Sequence, residues 1–111
     1  MIDVDINQFK GQLSSNRNKI VLFGAGKVGE LALYSCNQLG IPVHFFCDSK
    51  KEKQNSKFLN IETISPEKLN ELGNEVIIFI AHNNALSTGE QLKKKGFKKV
   101  YNCNNLFRNL A

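Results

Sequence analysis

Three glycines in the first third of the chain have the spacing of a phosphate-binding loop. Gly24, Gly26 and Gly29 directly follow the strand-like run 19–23 and open a helical pattern. Because glycine has no Cβ, the first would allow a tight turn, the second a close approach of a phosphate, and the third packing of the helix on the sheet. The unpaired N–H groups of that helix start would face an anion. The sequence therefore predicts a nucleotide-binding loop, which also includes Ala25, Lys27 and Val28.

An acidic residue follows the next predicted strand. Asp48 lies 19 residues beyond Gly29, where a dinucleotide-binding domain places the carboxylate that accepts a hydrogen bond from a ribose hydroxyl. A carboxylate there disfavours a ribose 2′-phosphate and favours NAD over NADP, whereas Lys50 and Lys51 could reach such a phosphate. Ser49 and Lys50 complete this part of the predicted site. The alternative is an empty crevice, with glycines that serve packing and an acid that forms a turn.

His82 and Asn83 follow the most apolar predicted strand, 75–81. A histidine there could contact a ligand or transfer a proton, or it could be a turn residue at a strand end. Lys27 could offset phosphate charge or face solvent, and His44, within a predicted strand, is expected to be structural. The sequence has no Ser/His/Asp or Cys/His arrangement, metal-ligand spacing or P-loop motif. We predict no metal site, name His82 as the one catalytic candidate, and leave open whether the protein is an enzyme.

Apolar runs that alternate with helical patterns must position these residues. The alternation predicts an α/β fold, a Rossmann-like three-layer sandwich with helices on both faces of a parallel sheet. About five strands in the order 3-2-1-4-5 are expected, which makes the first and fourth strands neighbours and places a crevice above Gly24 and His82. The expected strands are 19–23, 43–47, 60–64, 75–81 and 98–103, and the expected helices are 27–39, 66–73 and 86–95. The segment 49–60 is expected to be a loop, which could include a helical turn.

Length, charge and cysteine usage bound the class of protein. The 111 residues are expected to form a single domain, 1–111. No stretch approaches ~20 apolar residues, and the start lacks a signal-peptide pattern, so we expect a cytoplasmic protein without a membrane span. The net charge of +5 is attributed to a solvated lysine surface, and nucleic-acid binding is not expected. The cysteines form no paired motif and are expected to be buried thiols: Cys36, Cys47 and Cys103.

The N-terminal residues show a second helical pattern. Ile2, Ile6, Phe9 and Leu13 recur at helical spacing and predict a short amphipathic helix over residues 3–14. This stripe could support a homodimer or a contact with a partner enzyme domain. An alternative function is therefore an interaction or oligomerisation module with a vestigial nucleotide crevice, docked on a glycosyltransferase or similar enzyme. A third is a small enzyme that uses His82 across a dimer interface.

Four segments together resemble a family of bacterial proteins. Residues 21–29, 46–50, 64–69 and 76–81 are similar to the small Rossmann-like domains of surface-polysaccharide and nucleotide-sugar proteins. Such domains occur in nucleoside-diphosphate-sugar epimerases or dehydratases, in sugar acetyltransferases, and beside glycosyltransferase or methyltransferase domains. The resemblance covers roughly residues 19–103, and the Ile-Ser-Pro-Glu sequence at 64–67 is its most distinctive part beyond the glycine loop.

The resemblance implies a ligand more clearly than a reaction. It implies that Gly24, Gly26 and Gly29 meet the ligand's phosphates and that Asp48 meets its ribose or a nearby polar group. In the epimerase-like relatives the ligand is NAD, and in the acetyltransferases it is a UDP-sugar. The Tyr-x-x-x-Lys pair of short-chain reductases is absent, because Gln38 follows Tyr34 and Asn105 follows Tyr101 at that spacing. With no second domain expected either, the family's chemistry is not carried over, and a nucleotide-binding module of polysaccharide metabolism is the main prediction.

Overall fold

Short apolar strands build one sheet that is almost entirely parallel. The computed structural model of the chain describes residues 2–3, 19–82 and 85–103. The four-residue strands at the centre are buried along their whole length, as expected where helices cover both faces. The strands are β1 (Ile2–Asp3), β2 (Ile20–Phe23), β3 (Phe45–Cys47), β4 (Ser56–Phe58), β5 (Ile61–Ile64), β6 (Ile77–Ile80) and β7 (Lys99–Asn102).

The order of the strands confirms the predicted topology. The sheet runs β1-β7-β6-β2-β3-β5-β4, and its five predicted strands lie in the predicted order, β5-β3-β2-β6-β7. In the central register Val21 pairs with Phe45 on one side and with Ile78 on the other, both in parallel. The carboxyl ends of β2, β3 and β6 consequently meet at one edge of the sheet.

Three helices connect the strands where the sequence predicted helices. They are α1 (Lys27–Gln38), α2 (Pro66–Glu71) and α3 (Ala85–Lys94). Ser65 caps α2, because its side chain accepts a hydrogen bond from the backbone N–H of Lys68 at 3.1 Å, and Pro66 occupies the first turn. The start of α2 is therefore set by local chemistry that the sequence predicts.

The two faces of the sheet carry separate hydrophobic cores. On one face Leu22, Phe46 and Phe79 pack against α1 through Ala32. On the other face Val21 and Ile78 pack with Leu69 of α2 and Leu92 of α3. The three cysteines are buried free thiols, as predicted, and burial raises the pKa of each to about 12.

The segment 49–60 has both a helical turn, which the sequence analysis allowed, and a strand, which it did not predict. It contains a 3₁₀ turn at Lys51–Lys53 and the strand β4, which pairs antiparallel with β5. Leu59 and Asn60 link the two strands, and both have positive φ, 53° and 68°. That combination is the type I′ turn of a two-residue hairpin loop. The sequence missed β4 because Ser56-Lys57-Phe58 is short and mostly polar.

The described residues at the N-terminus form a strand instead of the start of a helix. Asp3, expected in a helix, lies in β1 and pairs in parallel with Asn102 of β7. The rest of the expected helix, 4–14, lies outside the described residues, as does the tail 104–111. Within the described ranges no helix has the length and apolar character needed to cross a membrane, and no group of His, Cys, Asp and Glu side chains suits a metal ion.

Candidate functional site

A cavity of about 490 Å³ opens where β2, β3 and β6 end, a size typical of small-molecule sites. It lies at the switch point of the sheet, where open α/β folds bind ligands. Of the predicted site residues, Gly29 does not line it, and Asn83 lies outside the described residues. The other nine do: Gly24, Ala25, Gly26, Lys27, Val28, Asp48, Ser49, Lys50 and His82.

Each of the three loop glycines meets a different environment. Gly24 has φ +125°, and a Cβ there would lie 2.5 Å from the carbonyl oxygen of Ala81 on the neighbouring chain segment. A Cβ on Gly29 would collide with the carbonyl oxygen of Gly24, so this glycine lets α1 pack directly on the loop. By contrast, a Cβ on Gly26 would meet only Lys53 Nζ, at 3.5 Å. Gly24 and Gly29 therefore shape the loop, whereas the backbone of Gly26 faces open space.

The start of α1 supplies hydrogen-bond donors to the cavity. Gly26 is the N-cap residue, and its carbonyl oxygen accepts the first helical hydrogen bond, from Glu30 N–H at 2.9 Å. Gly26 has no side chain that could accept from the N–H groups of the first turn, and these groups have no intrahelical partner. These groups and the helix dipole favour a negatively charged ligand at Gly26.

The carboxylate of Asp48 holds the glycine loop in place. Its Oδ2 accepts a hydrogen bond from Ala25 N–H at 2.9 Å, and its Oδ1 accepts one from Lys50 N–H at 2.9 Å. The residue is 9% exposed. An ionised carboxylate offers about four lone-pair sites, so two bonds to the backbone leave acceptor capacity for a ligand hydroxyl. The sequence predicted the position of Asp48 at the cavity but did not predict this bond to the loop.

Lys53 is a site residue that the sequence reasoning missed. Its Nζ donates a hydrogen bond to Ala25 O at 2.8 Å and lies 4.0 Å from Asp48 Oδ2. The turn at Lys51–Lys53 brings it back over the loop, and Gln54 Nε2 secures that turn by donating to Asp48 O at 2.9 Å. A cation therefore stands beside the open face of Gly26.

His82 forms the opposite wall of the cavity. Its Nε2 lies 3.0 Å from Thr88 Oγ1, and its ring lies 6.0 Å from that of Phe23, centroid to centroid. Burial lowers the pKa of His82, and the nearby Asp48 carboxylate opposes that shift. The neutral imidazole is thus favoured near neutral pH.

His44 has the structural role that the sequence predicted. It lies just before β3, and its Nδ1 accepts a hydrogen bond from Ile20 N–H at 3.0 Å. The backbone N–H of His44 donates to Ile20 O at 2.9 Å. The side chain therefore continues the pairing of β2 with β3 by one step, and it lines neither the cavity nor the loop.

Comparison with known proteins identifies the family of the chain. Residues 16–100 match the family described as C2185-like, N-terminal. Because this match spans most of the 111 residues, the chain belongs to that family. No curated protein sequence matches it.

Solved structures share the fold at low sequence identity. RSP, a Rex-family repressor, has a TM-score of 0.60 at 22% identity over 86% of this chain and 50% of its own. RSP in complex with β-NADH gives 0.58 at 20% identity over 89% and 54%, so this chain spans about half the length of RSP. UDP-D-quinovosamine 4-dehydrogenase from Vibrio fischeri gives 0.57 at 19% identity over 84% and 85%. These similarities establish the Rossmann-like fold.

Proposed function

We propose that this member of the C2185-like N-terminal family binds a nucleotide, NAD or a nucleotide-sugar, with the ligand's phosphates at Gly26. The observation that carries the proposal is the difference between the three glycines. At Gly24 and Gly29 backbone atoms fill the space that a Cβ would need. At Gly26 this space is part of the cavity and lies beside Lys53 Nζ. An open glycine at an uncapped helix start, next to a cation, suits a phosphate.

The remaining groups of the cavity suit the rest of a nucleotide. Asp48 would accept a hydrogen bond from a ribose hydroxyl with the lone pairs that the loop does not use. Ser49 and Lys50 would contact the same part of the ligand, and His82 would contact it from the opposite wall. Both ligand types occur in the names of the similar structures, β-NADH with RSP and UDP-D-quinovosamine with the dehydrogenase.

The proposed biological role is a binding module in surface-polysaccharide or nucleotide-sugar metabolism. The support for this role is the sequence resemblance, above all the glycine loop and the Ile-Ser-Pro-Glu sequence that caps α2. The proposal covers binding and assigns no reaction to this chain.

Isothermal titration calorimetry tests the proposal directly. The ligands to titrate are NAD, NADH, NADP, UDP-glucose, S-adenosylmethionine and coenzyme A. We expect binding of NAD, NADH or UDP-glucose and weaker binding of the other three. The absence of binding by all of them at millimolar concentration would refute the proposal.

Two variants locate the binding at the loop. Gly26→Asp should abolish it, because a carboxylate would occupy the position of the phosphate with like charge. Lys53→Met should weaken it by about tenfold or more, since a hydrogen bond to a charged group is lost. Lys93→Met is the matched control, because Lys93 is an exposed residue of α3 and its loss changes the net charge equally. Equal affinities of the two lysine variants would remove Lys53 from the site.

A further inference from the structure

A second cavity lies on the α1 side of Lys53. Its volume is about 430 Å³, and it shares Gly26 and Lys53 with the first cavity. The hydrogen bond from Lys53 Nζ to Ala25 O stands at this shared wall. A phosphate at Gly26 would therefore touch both cavities, and the groups attached to its two sides could extend into one cavity each.

The wall formed by β5 contains an unusual buried hydroxyl. Thr63 lines the second cavity and is 1% exposed. Among the residues that the structure describes, its Oγ1 has no hydrogen-bond partner. A buried hydroxyl left unpaired destabilises the folded protein, and a valine of the same shape would avoid that cost. A ligand in the second cavity would remove this cost if it supplied the hydrogen-bond partner that Thr63 Oγ1 lacks among the described residues.

The other groups of the second cavity indicate the chemistry of that ligand. Phe58 offers an apolar ring, held edge-on to Phe46 with the ring centroids 4.9 Å apart. The carboxyl groups of Glu30 and Glu52 and the ammonium groups of Lys27, Lys53 and Lys57 also line this cavity. The two signs of charge nearly balance, and hydroxyl groups can accept hydrogen bonds from the ammonium groups and donate them to the carboxylates. An apolar ring together with donors and acceptors suits a neutral ring that carries hydroxyl groups.

We propose that the second cavity binds a sugar ring joined to the phosphate at Gly26, with one ring hydroxyl bonded to Thr63 Oγ1. This inference rests on the proposed function, because the phosphate at Gly26 places the ring. It adds that the ligand extends past the phosphate toward α1, so that the first cavity holds the nucleoside and the second holds the sugar.

Matched ligand pairs separate this inference from nucleotide binding itself. UDP and UDP-glucose differ only in the sugar beyond the diphosphate, and ADP and ADP-ribose form an equivalent pair. By calorimetry, the sugar-bearing member of at least one pair should bind about tenfold more tightly to the unaltered protein. Equal affinities within both pairs would overturn the inference and leave the proposed function intact. Failure of all four to bind would overturn the inference, and the titrations with NAD and NADH would decide the proposed function separately.

Thr63 variants then test the residue. Thr63→Val should remove most of the sugar's advantage, leave the affinity for UDP or ADP unchanged, and raise the midpoint of thermal unfolding. Thr63→Ser keeps the hydroxyl and should retain the advantage, which provides the control if the valine variant fails to fold. An undiminished advantage in Thr63→Val, or its loss in Thr63→Ser at unchanged UDP or ADP affinity, would contradict the assignment.

Discussion

Asp48 Oδ2 accepts a hydrogen bond from the backbone N–H of Ala25 at 2.9 Å. The carboxylate that ends β3 therefore fixes the loop that ends β2, and the two neighbouring strands are tied together at the edge where the cavity opens. Gly24 N–H adds a second tie by donating to Cys47 O at 2.7 Å. Hydrogen bonds from within the chain therefore support the conformation of the loop.

Removal of the Asp48 carboxylate should destabilise the protein even without ligand. Hydrogen bonds to charged groups contribute about 1.5–3 kcal/mol each, and Asp48 accepts one from Ala25 and one from Lys50. We expect Asp48→Ala to lower the free energy of unfolding by about 3 kcal/mol or more, and Asp48→Asn, which keeps one acceptor oxygen, by less. Urea unfolding measures both. An alanine variant as stable as the unaltered protein would show that the bonds contribute little.

Substitution by alanine should destabilise the protein far more at Gly29 than at Gly26. Gly29→Ala places a methyl group against the carbonyl oxygen of Gly24 and should cost about 3 kcal/mol or prevent folding. Gly26→Ala meets only Lys53 Nζ and should cost less than about 1 kcal/mol. Unfolding curves of the two variants give the comparison. Equal destabilisation would mean that Gly26 is also required for packing.

The stability of the protein should fall as the pH drops through the range in which His44 titrates. Burial and the nearby Lys19 lower the pKa of His44 from its ordinary value of 6.5, so the folded state favours the neutral ring that accepts from Ile20 N–H. The unfolded chain then binds more protons between the two pKa values. The contribution of His44 to the free energy of unfolding is complete above pH 6.5. It is lost as the pH falls through the lowered pKa of His44 in the folded state.

Urea midpoints measured at a series of pH values between about 5 and 8 check this dependence. His44→Asn keeps an acceptor oxygen but does not titrate, so its midpoints should change less with pH. His82, whose pKa is also lowered mainly by burial, should account for part of the slope that remains. An equal slope in His44→Asn would exclude His44 as a source.

The hairpin between β4 and β5 offers a route to a more stable protein. Its two loop residues, Leu59 and Asn60, both have positive φ, a conformation that is unfavourable for leucine. The double variant Leu59→Asn, Asn60→Gly has the sequence favoured in type I′ turns and should gain about 1 kcal/mol. Leu59→Val should instead lose stability, because a β-branched residue suits this conformation poorly. The midpoint of thermal unfolding should be highest for the double variant, intermediate for the unaltered protein and lowest for Leu59→Val.

Most of the fold, but only part of the candidate site, could be predicted from the sequence. Continuous apolar runs predicted the central strands, and the glycine spacing predicted the loop, because both patterns are local. Lys53 reaches the loop only because the turn at Lys51–Lys53 is secured by Gln54, and no spacing rule connects it to Ala25. The unpaired hydroxyl of Thr63 was likewise invisible, since it depends on which atoms surround β5 in three dimensions.

The short strand β4 has a consequence for how the molecule meets copies of itself. It ends the described sheet order with only three residues, paired antiparallel, and Lys57 at its middle is exposed. A sheet that ended on β5 would present this longer strand, Ile61–Ile64, as a template for pairing with another chain. A brief edge strand that carries a lysine discourages such pairing. On this side the protein is therefore guarded against edge-to-edge aggregation.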